Sequence, residues 1–222
     1  MVDLIKGLSA QTVRANLDRV HERLLAVGRK PGEVQILAAV KYLPEGELAA
    51  LAAGGVTLAG ENRAQDLLQK APAHPELTWD FIGTLQSRKV PQILPYVRYV
   101  HSVATDSALA QLGKHGDSQT QVLIEVNVAG DPDKAGVTPD DLPGFIERCP
   151  VTVVGLMTMP PLASKPEQNR RHFAALRELA AKHGLRELSM GTSQDYEVAA
   201  QEGATIIRLG SLLYRPHASD AA

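Results

Sequence analysis

The segment Val34-Gln35-Ile36-Leu37-Ala38-Ala39-Val40-Lys41-Tyr42-Leu43-Pro44 decides the fold. Its first seven residues form an apolar, β-rich run, as expected of a parallel strand covered on both faces. An open, doubly wound dinucleotide-binding sheet carries a glycine-rich turn after its first strand, and Lys41-Tyr42-Leu43-Pro44 stands there instead. Comparable runs recur at Val56–Ala59, Leu77–Ile82, Val97–Val103, Gln121–Val128, Val151–Met157, Glu187–Met190 and Thr205–Leu209, each bounded by Gly, Pro or polar residues. Helical segments alternate with them: Glu45–Ala53, Arg63–Gln69, Ser107–Leu112, Pro139–Glu147, Pro166–His183 and Gln194–Gln201, with Ser107 and Pro139 as start signals. An opening segment, Leu8–Val27, spaces Leu8, Val13, Leu17, Val20, Leu24 and Leu25 as one helical face. Eight strands separated by helices predict an α/β protein, a closed (β/α)8 TIM barrel with an extra N-terminal helix. The competing architecture is the open doubly wound sheet.

Composition narrows the function. The 222 residues carry 23 Lys+Arg against 25 Asp+Glu, a formal charge of −2, which leaves no electrostatic footprint for nucleic acid. Hydrophobic residues at 44% suffice for a core, while the apolar runs fall short of the roughly 18 residues of a membrane helix. No repeat, low-complexity segment or linker divides the chain, so residues 1–222 read as one domain; a monomer is expected. The only cysteine, Cys149, has no internal partner, and the start MVDLIKGLSA lacks a secretory pattern; a cytoplasmic setting is expected. Cys149 reads as a packed thiol before Pro150. The seven histidines show no metal-ligand spacing, and no metal site is expected.

Such barrels keep their chemistry at the carboxyl ends of the strands. There the sequence turns polar: Lys41, then Gly60-Glu61-Asn62, Gly83-Thr84-Leu85-Gln86-Ser87, His101-Ser102, Asn127, Met157-Thr158-Met159, Gly191-Thr192-Ser193 and Gly210-Ser211. Loops after strands seven and eight commonly hold phosphate, because glycine admits backbone N–H groups and hydroxyls add donors. Read alone, Gly-Thr-Ser and Gly-Ser are turn and cap residues; their coincidence at these two strands implies a phosphorylated small molecule. Two-residue alternation puts Lys41 on the face of Leu37 and Ala39, pointing into the barrel, where an enclosed amine suits Schiff-base chemistry. Many strand-end lysines simply reach water. Arg208 lies on the same side as Gly210, so a cation inside the barrel faces a ligand or else pairs with an acid such as Glu61. His101 reads as a site residue by its strand-end position or as an ordinary hydrogen-bonded histidine, and Met157, Met159 and Met190 as core or pocket lining.

These pieces together resemble the YggS/PROSC family of pyridoxal phosphate homeostasis proteins: Lys41, Gly60-Glu61-Asn62, Phe81-Ile82-Gly83-Thr84-Leu85-Gln86-Ser87, Val122–Val128 with Lys134-Ala135-Gly136-Val137, Gly155-Leu156-Met157, Leu188-Ser189-Met190-Gly191-Thr192-Ser193 with Asp195, and Arg208-Leu209-Gly210-Ser211. The resemblance spans nearly the whole chain. It implies a barrel like the N-terminal domain of alanine racemase, with pyridoxal 5'-phosphate carried on Lys41 as an internal aldimine. It also implies that Ser193, Gly210 and Ser211 hold the phosphate, that Arg208 faces the pyridine nitrogen, and that Asn62 and Met157 border the cofactor. Two departures stand beside the phosphate loops: Thr192 replaces the family's usual methionine, and Arg215-Pro216-His217 replaces its Gly-x-Arg ending.

The function implied is a noncatalytic cofactor carrier or buffer, with pyridoxal-phosphate-dependent apoenzymes as acceptors. The alternatives are an amino-acid racemase or a Schiff-base aldolase acting on a phosphorylated sugar. Racemisation needs acid/base groups on both faces of the substrate, and the racemase draws its opposing tyrosine from a further domain; here twelve residues follow Gly210.

Overall fold

The structure, a computed structural model, describes residues 4–216. Among these, eight parallel strands close a barrel in sequential order: β1 Gln35–Ala39, β2 Leu58–Glu61, β3 Thr78–Phe81, β4 Tyr99–Val103, β5 Gln121–Glu125, β6 Thr152–Met157, β7 Glu187–Thr192 and β8 Ile206–Leu209. The helices are α1 Ala10–Ala26, α2 Leu48–Ala53, α3 Ala64–Ala73, α4 Val90–Ile93, α5 Asp106–His115, α6 Leu142–Arg148, α7 Arg170–Lys182, α8 Tyr196–Gln201 and α9 Ser211–Tyr214. The expected barrel and N-terminal helix are both present. No helix among the described residues is long and apolar enough to cross a membrane.

Strand alternation builds two apolar layers. Ala38, Val40, Ala59, Trp79, Phe81, Val100, Val122, Ile124, Ile207 and Leu209 turn outward beneath the helices. Inside, Leu37, Leu58 and Ile206 pack with Ile82 and Tyr99. The remainder of the interior is polar, with Asp80, His101, Ser189 and Arg208 buried together.

Three register shifts bend this pattern. β4 gains a residue between Val100 and Val103 against β5, β6 gains one between Val153 and Gly155, and β7 gains one between Ser189 and Thr192. Each extra residue reverses which face the following side chains take. In β6, Val153 packs outward with the helices, yet so does Leu156, which sends Met157 inward.

Several boundaries differ from expectation. β2 lies two residues later, so Glu61 ends the strand instead of following it, and β7 runs on through Gly191 and Thr192. The cap of α5 is Thr105, whose hydroxyl accepts the Ala108 N–H at 3.2 Å, not Ser107. α6 begins at Leu142, past Pro139. α4 and α9, four residues each, are too short to show a helical period in the sequence. α1 secures the far end of the chain: Asn16 Nδ2 donates to the carbonyls of Leu213 and Arg215 at 3.2 and 2.9 Å.

Candidate ligand-binding site at the barrel mouth

Lys41 follows β1 in a turn closed by the Leu43 N–H donating to the Val40 carbonyl at 3.0 Å. Its ammonium lies 4.7 Å from the centre of the Tyr42 ring, and the residue is exposed. The strand ends at Ala39, so Lys41 stands two residues beyond it, in the turn at the barrel rim.

β8 pairs with β1 through Ala38 and Leu209, which sets Gly210 beside Ala39, two residues before Lys41. A Cβ at Gly210 would come 3.9 Å from the Ala39 carbonyl oxygen. That same carbonyl accepts the Tyr214 hydroxyl at 3.0 Å, tying α9 to β1. The Gly210 N–H donates to Ser193 Oγ at 3.4 Å and joins the loops after β7 and β8. Ser193 and Ser211 line a common cleft of about 710 Å³, together with Arg19, Arg23 and Arg215.

The loop after β7 is held from below by Asp195. One carboxylate oxygen accepts the Thr192 N–H at 2.7 Å and the Thr192 hydroxyl at 3.1 Å, and the other accepts Asn169 Nδ2 at 2.8 Å. The departure at Thr192 thus has a structural use: its hydroxyl braces the turn that presents Ser193. Gly191 adopts φ +91°, and a Cβ there would lie 2.6 Å from the Ala199 Cβ, so glycine is required where β7 meets α8. Of the second departure, Arg215 and Pro216 follow α9, and His217 lies outside the described residues.

Arg208 is 7% exposed, inside the barrel beneath these loops. Its Nη1 donates to the Ser189 carbonyl at 2.8 Å and to the Ser189 hydroxyl; its Nη2 donates to the Thr158 carbonyl at 2.9 Å and to Met159 Sδ at 2.8 Å. Among the described residues no carboxylate forms an ion pair with it. Glu61, the partner weighed from sequence, points outward to Lys70. Burial pushes the Arg208 pKa down to about 10 against the opposing pull of Glu125 and Asp195. Burial also raises the Glu125 carboxyl, while Arg208 and Lys134 draw it back.

On the other side of Lys41, the Asn62 N–H donates to Glu61 Oε1 at 2.6 Å, and its side-chain oxygen is buried without a partner. A Cβ at Gly83 would overlap the Asn62 carbonyl at 1.9 Å, so the close approach of β3 fixes this turn. Met157 is buried inside the barrel, in register with Glu125 and Ser189. Lys41, Asn62, Met157, Ser193, Arg208, Gly210 and Ser211 thus gather at the carboxyl end of the barrel.

Of the other candidates, Met190 packs in the outer layer and Met159 is 45% exposed with its sulfur on Arg208. His101 is in mid-strand and fully buried, not at a strand end. Ser189 stands in the sequence only within the Leu188–Ser193 motif, without a role of its own, although a polar residue between Leu188 and Met190 on a strand marks an interior polar position. Cys149 is half-buried, and burial raises its thiol pKa, as befits an unreactive packed side chain. No group of three or more His, Cys, Asp or Glu among the described residues is placed to hold a metal ion.

The fold is thus a closed (β/α)8 barrel with polar residues at the carboxyl ends of its strands. No protein-family model matches the sequence. The chain is 38% identical over 213 residues to the pyridoxal phosphate homeostasis protein of Aquifex aeolicus, covering 89% of this chain and 93% of that one. It belongs to the pyridoxal phosphate homeostasis protein family. PipY of Synechococcus elongatus PCC7942, solved with PLP bound, superposes with a TM-score of 0.78 at 30% identity, covering 91% of this chain and all of that one (100%). Alanine racemase from Corynebacterium glutamicum shares the barrel, with a TM-score of 0.71 at 18% identity over 98% of this chain and 65% of its own length.

Proposed function

We propose that this protein binds pyridoxal 5'-phosphate at the barrel mouth and serves intracellular homeostasis of that cofactor, holding it reversibly on Lys41 without turning over a substrate. The observation that carries this reading is the β1–β8 pairing, which brings Gly210 alongside the strand leading to Lys41 while Arg208 lies buried below with only neutral hydrogen-bond partners. Membership of the family, and the PLP-bound PipY, support it.

In this reading Ser193, Gly210 and Ser211 bind the phosphate, Arg208 meets the pyridine nitrogen, and Asn62 and Met157 border the ring. When bound, the cofactor supplies an aldehyde that condenses reversibly with amines. Lys41, exposed at the rim, offers its amine to that aldehyde and remains open to exchange with an acceptor. Arg208 holds a positive charge where the ring nitrogen would otherwise take a proton, which weakens the ring as an electron sink and favours carriage over catalysis. The tyrosines at the mouth agree. Burial holds the Tyr214 phenol protonated, donating to Ala39, and raises the pKa of Tyr196 to about 12, so neither serves as a base on a second face. The acceptors are pyridoxal-phosphate-dependent apoenzymes, met by a monomer in the cytoplasm.

The test is a visible absorption spectrum of the protein with added pyridoxal 5'-phosphate, followed by borohydride reduction and peptide mass mapping. A reduced pyridoxyl group on Lys41 is expected. An adduct solely on another lysine, or trapping of a sugar phosphate in its place, overturns the assignment.

A further inference from the structure

Beneath the mouth, a continuous hydrogen-bonded chain crosses the barrel interior from β8 to β3. Arg208 Nη1 contacts the Ser189 hydroxyl, Ser189 Oγ lies 2.9 Å from His101 Nδ1, and His101 Nε2 lies 3.0 Å from Asp80 Oδ2. Asp80 in turn accepts Arg98 at both oxygens, at 3.1 and 2.6 Å, and the Tyr99 N–H at 3.1 Å. Ser189, His101 and Asp80 are all 0% exposed.

The acceptor-only Asp80 carboxylate sets the direction: His101 Nε2 carries the hydrogen that Asp80 takes, and in a neutral imidazole Nδ1 is then the acceptor for the Ser189 hydroxyl proton. The Ser189 oxygen in turn accepts from Arg208, whose guanidinium only donates. Burial pushes the His101 imidazole below its ordinary range, against the pull of Asp80 and helped by the charges of Arg208 and Arg98. Burial alone would raise the Asp80 carboxyl, but the hydrogen bonds from His101 and Arg98 and the Arg98 charge outweigh it and keep it ionised. A neutral imidazole between an anion and a hydroxyl is thus the state the surroundings favour.

We propose that Ser189 and His101 are positioning residues that link Arg208 to Asp80 and lock its guanidinium in one orientation beneath the mouth. A buried cation without an ion pair is costly, and hydrogen bonds in series polarise one another, so Ser189 and His101 brace the guanidinium against the Arg98-paired Asp80 carboxylate while the pull of Glu125 and Asp195 partly offsets its burial. Toward Arg208's ligand this rests on the reading given under Proposed function; the chain itself does not.

The test begins with ligand-free, isotopically labelled protein. Imidazole NMR should show His101 as the Nε2–H tautomer without titration between about pH 6 and 8. Ser189→Ala removes one buried oxygen and one hydrogen bond to a charged group, and should speed reorientation of the Arg208 guanidinium by about ten-fold or more. With pyridoxal 5'-phosphate bound, Ser189→Ala and His101→Gln should move the pH midpoint of the visible band in the direction that Arg208→Gln moves it. An Arg208 side chain and a midpoint unchanged in Ser189→Ala, with only a lower melting temperature, would reduce the chain to core packing and overturn the proposal. Ser189→Ala decides the matter even if His101→Gln fails to fold. If the protein binds no pyridoxal 5'-phosphate, the ligand-free measurements still decide the chain, so the two readings fail separately.

Discussion

Lys70 and Glu61 form a buried ion pair at 2.6 Å on the outside of the barrel, and the same ammonium donates to the Val40 carbonyl at 2.9 Å, one residue before Lys41. The other Glu61 oxygen accepts the Asn62 and Arg63 N–H groups at 2.6 and 3.2 Å. One pair of charges therefore fixes the backbone of two adjoining strand ends at the mouth.

Lys70→Met leaves the Glu61 carboxylate buried and unpaired, which is expected to cost about 3–5 kcal/mol of stability. Chemical denaturation measures it, and the double variant Lys70→Met/Glu61→Gln should recover a large part of the loss because no charge is left stranded. A loss under about 1 kcal/mol in the single variant would mean that water reaches the pair.

Ser193→Ala/Ser211→Ala should weaken binding of pyridoxal 5'-phosphate at least about ten-fold, since each hydrogen bond to a charged group contributes roughly 1.5–3 kcal/mol. Binding of unphosphorylated pyridoxal should change little. Equal weakening of both ligands, measured by titration, would mean that the hydroxyls do not read the phosphate.

Stability should fall on acidification, beginning near the ordinary imidazole value of 6.5. With its pKa depressed in the folded state, His101 binds a proton more readily when unfolded, so its contribution is present above that value and is lost as pH falls toward the folded pKa. Asp80, also depressed, contributes above its ordinary value of 3.8 and loses that contribution at still lower pH. Denaturant midpoints collected across this range should flatten between neutral pH and about 5 in His101→Gln. An identical slope in the variant would place the acid sensitivity elsewhere.

The protein saturated with pyridoxal 5'-phosphate should not racemise L-alanine at an enzyme's rate. Lack of one acid/base group costs about 10² to 10⁴ in rate, and Tyr214 and Tyr196 are held protonated. Chiral chromatography after long incubation checks this; turnover comparable to a genuine racemase would overturn the carrier reading.

The sequence by itself determined the alternation of eight strands with helices, and hence the closed barrel, because hydrophobic period and turn residues are local properties of a chain. It also marked Lys41, Ser193, Gly210 and Ser211, since a parallel barrel exposes whatever follows each strand at one end, and Arg208 through its two-residue offset from Gly210 on the same side of the strand. Only the tertiary structure decided which partners those residues meet. The extra residues in β4, β6 and β7 invert side-chain parity, and no local pattern in Val151–Met157 announces that Leu156 turns outward and Met157 inward. The pairing of Glu61 with Lys70, and the chain from Arg208 through Ser189 and His101 to Asp80, join residues brought together by barrel closure, up to 128 positions apart (208 minus 80). Buried polar groups take whichever donor or acceptor the closed barrel brings within reach, and that choice is fixed by packing in three dimensions.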